Sequence, residues 1–114
     1  PFIVHWPNSD IKTVNYPTSH FDVAPTILKD FFGVENPLDD FTIGDSLFNH
    51  QPQDRPLFLG RNHYYAIKVG KRLYEIDRWG GFQIKNQYYQ TMANERLPKE
   101  IIAKPLSDMV KFAR

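Results

Sequence analysis

Apolar runs of changing period alternate with polar, proline-bearing stretches along this chain. Phe2 to Trp6 is almost continuously apolar and closes on Pro7-Asn8, a turn signal. A run apolar on both faces predicts a strand buried on both sides, as in a parallel sheet. Asn8 to Thr18 is polar and predicts a loop. Ser19 then offers a helix cap, with Asp22 three residues on as a weak form of the capping box. Ala24, Ile27, Leu28 and Phe31 follow at helical spacing, and Gly33 supplies a stop. Pro25 interrupts this pattern, because it has no N–H and crowds the turn before it. The expectation is a first turn over Ser19 to Ala24 and a main helix with Pro25 at its first position.

Glu35 to Phe48 predicts an extended loop, in which Gly44 is expected to take a backbone angle closed to other residues. Asn49 to Pro56 is polar and expected to be exposed. From Leu57 to Lys85 the period shortens to two. "LFLG", "HYYAIKV", "RLYEID" and "FQIK" predict an antiparallel meander of about four strands. Gly70-Lys71 reads as a two-residue hairpin turn and Arg78 to Gly81 as a looser one. Alternation sets Tyr65, Ile67 and Val69 on one face and Tyr64, Ala66 and Lys68 on the other. Pro98 to Ala113 predicts an amphipathic helix with a stripe of Ile102, Leu106, Met109 and Ala113, flanked by Ile101 and Val110. Pro105 is expected to kink it. The fold class is α+β.

Composition narrows the function classes. Of 114 residues, 41% are hydrophobic, enough for a core and too many for a disordered tract. The net charge is +1, so no electrostatic excess points to nucleic acid. The aromatic and basic residues at His63, Tyr64, Tyr65, Lys68, Arg72 and Tyr74 are then read as sheet packing rather than a stacking platform. The absence of cysteine excludes thiolate chemistry and disulfides. No apolar run approaches the roughly 18 residues of a membrane-spanning helix. Because the chain opens inside an expected strand, it is read as a piece of a longer protein.

The candidate chemistry is sparse. His5, His20, His50 and His63 have no metal-ligand spacing. Asp39 and Asp40 are adjacent, point in different directions, and read as a solvated loop. Asp22 is read as satisfying N–H groups at a helix terminus. Ser19, Ser46 and Ser107 lack a nucleophile-elbow context.

Three segments together carry a resemblance. "PFIVHWPN" resembles the apolar strand closed by proline in the sulfatase and alkaline phosphatase superfamily. "SHFDVAPTILKDFFGV" resembles its helix with Asp, Pro and Thr at the positions of Asp22, Pro25 and Thr26. "IGDSLF" resembles its loop with Gly and Ser at Gly44 and Ser46. Within the superfamily the likeness is greatest to the periplasmic domain of the YejM (PbgA) type of bacterial inner-membrane, sulfatase-like proteins. It covers Pro1 to Phe48 closely and the remainder through element order.

The resemblance implies an α/β parent fold, with residues 1–56 ending its core and 57–114 forming a C-terminal sheet and helix of the same domain. It implies a parent that hydrolyses or transfers sulfate or phosphate esters with a divalent metal. The nucleophile and metal ligands of that family precede this segment, so no catalytic or metal residue is carried over, and the piece itself is expected to hold no cofactor and to be inactive. Asp22, Pro25, Thr26, Gly44 and Ser46 are family-motif positions with a structural role. His20, Arg61 and His63 are the candidate contacts to a substrate cleft. The implied partner is the upstream part of the same domain, and the implied location is the periplasmic side of the inner membrane. The alternative within the resemblance is a regulatory or lipid-binding protein, with lipopolysaccharide or cardiolipin as ligand. A third reading is an unrelated small binding module. The isolated piece is expected to expose an apolar face and to self-associate.

Overall fold

A computed structural model describes residues 2–10, 12–61 and 64–112 of the chain. Four strands form one antiparallel sheet: β1 (Leu57–Arg61), β2 (Tyr64–Val69), β3 (Arg72–Ile76) and β4 (Phe82–Lys85). They lie in chain order, as a meander. Alternation and turn chemistry account for this arrangement. Val69 pairs with Arg72 across Gly70-Lys71, and Gly70 takes a φ of 54°, open to glycine at little cost. The Asp77 carboxylate organises the next turn by accepting from the N–H groups of Trp79 and Gly81, at 2.8 and 2.9 Å.

The core is a single row across the sheet. Phe58 pairs with Ile67, Ile67 with Tyr74, and Tyr74 with Ile84. All four are buried, and Ile102 of the C-terminal helix α2 (Lys99–Phe112) covers them. Ile43, Val69, Ile76, Met92, Leu97 and Leu106 surround that row. Tyr64 and Lys68 lie exposed on the other face. Helix α2 runs through Pro105, and its Ile101 and Val110 are exposed beside the buried Ile102. The expected stripe positions Met109 and Ala113 differ in standing: the side chain of the first and the whole of the second lie outside the described part.

The segment before the sheet is organised around helix α1, which is continuous from residue 20 to residue 31 but changes its winding twice. A 3₁₀ turn (His20–Asp22) leads into an α turn (Val23–Pro25) and then a π segment (Thr26–Phe31). Ser19 caps it as a full capping box. Its hydroxyl accepts from the Phe21 N–H at 3.2 Å, and Asp22 accepts from the Ser19 N–H at 2.7 Å. Gly33, with φ 68°, ends it.

Three expectations are corrected here. Pro25 does not begin a separate helix; it lies buried at the change from α to π winding. An α-helix would send the residue-25 N–H to the Phe21 carbonyl, and proline has none to send. The Thr42 hydroxyl donates to that carbonyl instead, at 3.2 Å. Gly44 is absent from the residues with positive φ, so a forbidden angle is not its reason. A Cβ built there would stand 2.0 Å from the Phe21 carbonyl oxygen, so close approach is the reason. Asn49 to Pro56 is not wholly exposed, because Gln51 is buried and Arg55 is largely covered.

Phe2 to Trp6 has no regular secondary structure, since no neighbouring strand among the described residues pairs with it. Rings hold it instead. Trp6 meets Phe31 and Phe48 edge to face at 5.8 and 5.1 Å, and Phe2 meets His20 at 6.2 Å. Phe2, Ile3, Val4, Phe31, Phe32 and Phe48 remain exposed around these contacts.

Candidate functional site

Asp22 is the hub of a polar knot below the start of α1. Only 1% of it is exposed, and both carboxylate oxygens are engaged twice. Oδ2 accepts from the Ser19 N–H at 2.7 Å and from Arg55 Nη1 at 3.0 Å. Oδ1 accepts from the Asp45 N–H at 2.9 Å and from Arg55 Nη2 at 2.7 Å. The guanidinium thus meets the carboxylate fork to fork, the geometry that makes such pairs strong.

Thr26 continues the knot one turn on. Its hydroxyl donates to the Asp22 carbonyl at 2.5 Å and accepts from the Leu47 N–H at 2.7 Å. The first of these bonds competes with regular helix bonding, consistent with the change of winding at this position. The Ser46 hydroxyl donates to Asp30 at 2.5 Å and accepts from the Phe48 N–H at 3.1 Å. Asp45 accepts from Gln51, Asn49 and the Ser46 N–H. Burial raises its pKa, but these bonds and the nearby Arg55 outweigh burial and hold the carboxyl below its ordinary range.

Asp22, Pro25, Thr26, Gly44 and Ser46 therefore meet in one place. Residues 42–47 are stitched onto α1 through Phe21, Asp22, Thr26 and Asp30. Every Asp22 oxygen is saturated, so the carboxylate has no free lone pair directed at a ligand. Among the described residues there is no group of three or more His, Asp or Glu side chains that could hold a metal ion.

The three cleft candidates are not seen together. His20 is exposed and lines a groove of about 530 Å³ between the start of α1 and strand β1. Arg61 belongs to β1, where it pairs with Tyr64, and its side chain lies outside the described part. His63 lies outside the described residues. A second groove, of about 660 Å³, separates the knot from α2 and has Asp45, Arg55, Phe58, Glu100 and Lys104 among its walls. Arg55, Thr42 and Asp45 are the site residues that sequence reading missed. Thr42 lies between Phe41 and Ile43, Asp45 and Arg55 lie in polar stretches, and nothing local marks any of them as partners of α1.

Comparison with known proteins follows this geometry. No family model matches the chain. It is 28% identical over 98 residues to an uncharacterised protein of Haemophilus influenzae, covering 86% of the chain and 17% of that protein. It is 18% identical over 112 residues to the inner membrane protein YejM of Salmonella typhimurium and to that of Salmonella typhi. That likeness covers 98% of the chain and 19% of either YejM. The chain is thus distantly similar, along nearly all its length, to an inner membrane protein, and it spans about a fifth of the length of the relatives it matches. No helix among the described residues is long and apolar enough to cross a membrane.

Proposed function

We propose that this chain is the C-terminal part of a sulfatase-like domain that faces the periplasm and belongs to a membrane-anchored protein acting on sulfate or phosphate esters. The observation that carries the reading is the knot. The five positions shared with the superfamily motif interlock through the bonds of Asp22, Thr26 and Ser46 and the close approach at Gly44. The distant similarity to YejM supports the membrane setting. In this reading residues 1–114 are scaffold, and a divalent metal and the nucleophile belong to an upstream part of the same domain. That upstream part is also its partner and covers the exposed rings of Phe2, Phe31 and Phe32. In this reading the exposed His20 is a candidate contact to the cleft.

Sequencing the gene upstream of the Pro1 codon tests the proposal. Membrane helices, a metal-site Ser or Thr and an Asp-His pair before Pro1 are the expected result. Membrane helices without those ligands would move the function to lipid binding and regulation. A start codon within a few residues of Pro1 would overturn the reading. Purified 1–114 is expected to leave p-nitrophenyl phosphate and p-nitrophenyl sulfate intact with Mg²⁺, Mn²⁺ or Zn²⁺ present.

A further inference from the structure

Two bonds at the end of α1 each close one residue late. The Phe32 N–H donates to the Ile27 carbonyl at 3.1 Å, a span of five residues where an α-helix uses four. The Val34 N–H donates to the Leu28 carbonyl at 2.9 Å, a span of six where the usual glycine-stopped helix end uses five. Both spans are too long by the same amount, so the π segment Thr26–Phe31 holds one surplus residue. Such insertions are rare, and an unfavourable backbone state persists where its surroundings hold it.

The surroundings here are the loop before the sheet. The Thr26 hydroxyl occupies the Asp22 carbonyl, the acceptor that an α-helix gives to the Thr26 N–H, and that N–H turns to Val23 instead. The Leu47 N–H fixes the hydroxyl in this place. Further along, the Ser46 hydroxyl holds Asp30. Nearer the start, the Thr42 hydroxyl holds the Phe21 carbonyl and the Asp45 N–H holds the Asp22 carboxylate. Residues 42–47 thus grip α1 at both ends of the stretch that contains the surplus residue.

The surplus also decides where the rings fall. Return to α winding, at 3.6 residues per turn, would swing the residues beyond it by about 100° around the helix axis. Asp30 would leave Ser46, and Phe31 would leave the Trp6 ring that it meets edge to face at 5.8 Å. One winding therefore sets both the grip of the loop and the packing of Trp6.

We infer that α1 is a two-position element. Residues 42–47 hold it in the π register, and their release lets residues 26–31 return to α winding and carries Phe31 away from Trp6. The coupling is reciprocal, so a contact that fixes Phe31 also favours the closed loop. The device is independent of the ester chemistry proposed above.

The test uses the 1–114 chain with Trp79→Phe, which leaves Trp6 as its one tryptophan. NMR couplings across hydrogen bonds read which carbonyl the Phe32 amide uses, and fluorescence reads Trp6. Without further change the Phe32 amide is expected to couple to Ile27. With Thr42→Val and Ser46→Ala it is expected to couple to Leu28. Trp6 emission then moves to longer wavelength, while the contacts among Ile67, Tyr74 and Ile84 remain. Retention of the Ile27 coupling, or a change of winding with Trp6 unmoved, would overturn the inference.

Trp6 also meets Phe48, next to the loop, so a second variant separates the two routes. Deletion of the exposed Lys29 removes the surplus residue itself. The Phe32 bond to Ile27 then has the α span, and Phe31 is expected to stay on Trp6. In that background Thr42→Val with Ser46→Ala is expected to leave the emission near its parent value. An equal shift there would assign the response to Phe48 and overturn the coupling. Should the doubly substituted chain fail to fold, the deletion decides alone: loss of the Phe31 contact to Trp6 would refute the surplus residue.

Discussion

Arg55 reaches back 33 residues to meet Asp22 through two parallel hydrogen bonds, of 3.0 and 2.7 Å. The carboxylate is 1% exposed and the guanidinium 14%. The pair fixes the loop before the sheet against the entrance of α1.

Removing one partner of such a pair leaves a buried charge unsatisfied. Arg55→Ala is expected to cost about 3 kcal/mol, at the low end for a broken buried pair because two backbone N–H groups still serve Asp22. Arg55→Lys is expected to recover only part of this, since an ammonium cannot make the fork. Urea unfolding followed by circular dichroism measures both, and a cost below about 0.5 kcal/mol for Arg55→Ala would contradict the role given to the pair.

Gly44→Ala places a methyl where the Phe21 carbonyl already stands, at 2.0 Å. Backbone must move, and the cost is expected to be about 3 kcal/mol, at the upper end of ordinary overpacking. Gly33→Ala meets nothing within 4 Å but sits at φ 68°, so strain alone acts there, with about 1 kcal/mol expected. Thermal melting of the two variants orders them, and the reverse order would refute this account.

Thr26→Val keeps the shape of the side chain and deletes its hydroxyl. The Leu47 N–H then loses its acceptor, with an expected cost of about 2 kcal/mol. Thr26→Ser keeps the hydroxyl and is expected to cost less. In an amide-exchange experiment Leu47 should lose protection in the valine variant and keep it in the serine variant.

Asp45 gives the knot a pH dependence. Its folded-state pKa lies below the unfolded value, so its contribution is present above the ordinary carboxylate range and is lost as pH falls through the depressed value. Gln51→Ala removes one of the bonds that lower it and is expected to shift the Asp45 titration upward. Carbon-detected NMR of the side-chain carboxyl reads this directly, and an unmoved midpoint would show that Gln51 does not set it.

How much of this was legible in the sequence differs by element. The sheet was legible because period-two alternation, Gly70 and the Arg78 to Gly81 turn all specify one register, and Phe58, Ile67, Tyr74 and Ile84 fall on one row. The capping box at Ser19 was legible because its two partners are three residues apart. The role of Gly44 was not, because the atom it must avoid belongs to Phe21, and only the folded chain brings the two together. Arg55 was hidden for the same reason: in a polar run, a salt-bridged arginine and a solvated one look alike. Pro25 was visible as an anomaly, but its consequence needed Thr42, the donor that replaces its missing N–H.

In a chain without cysteine, the Asp22–Arg55 pair is a non-covalent clasp around the intervening loop. A disulfide in its place would hold that loop closed in the unfolded chain as well and would depend on the thiol poise of its surroundings. This clasp opens whenever the domain unfolds and re-forms on folding. Its closure is the same in an oxidising compartment and a reducing one.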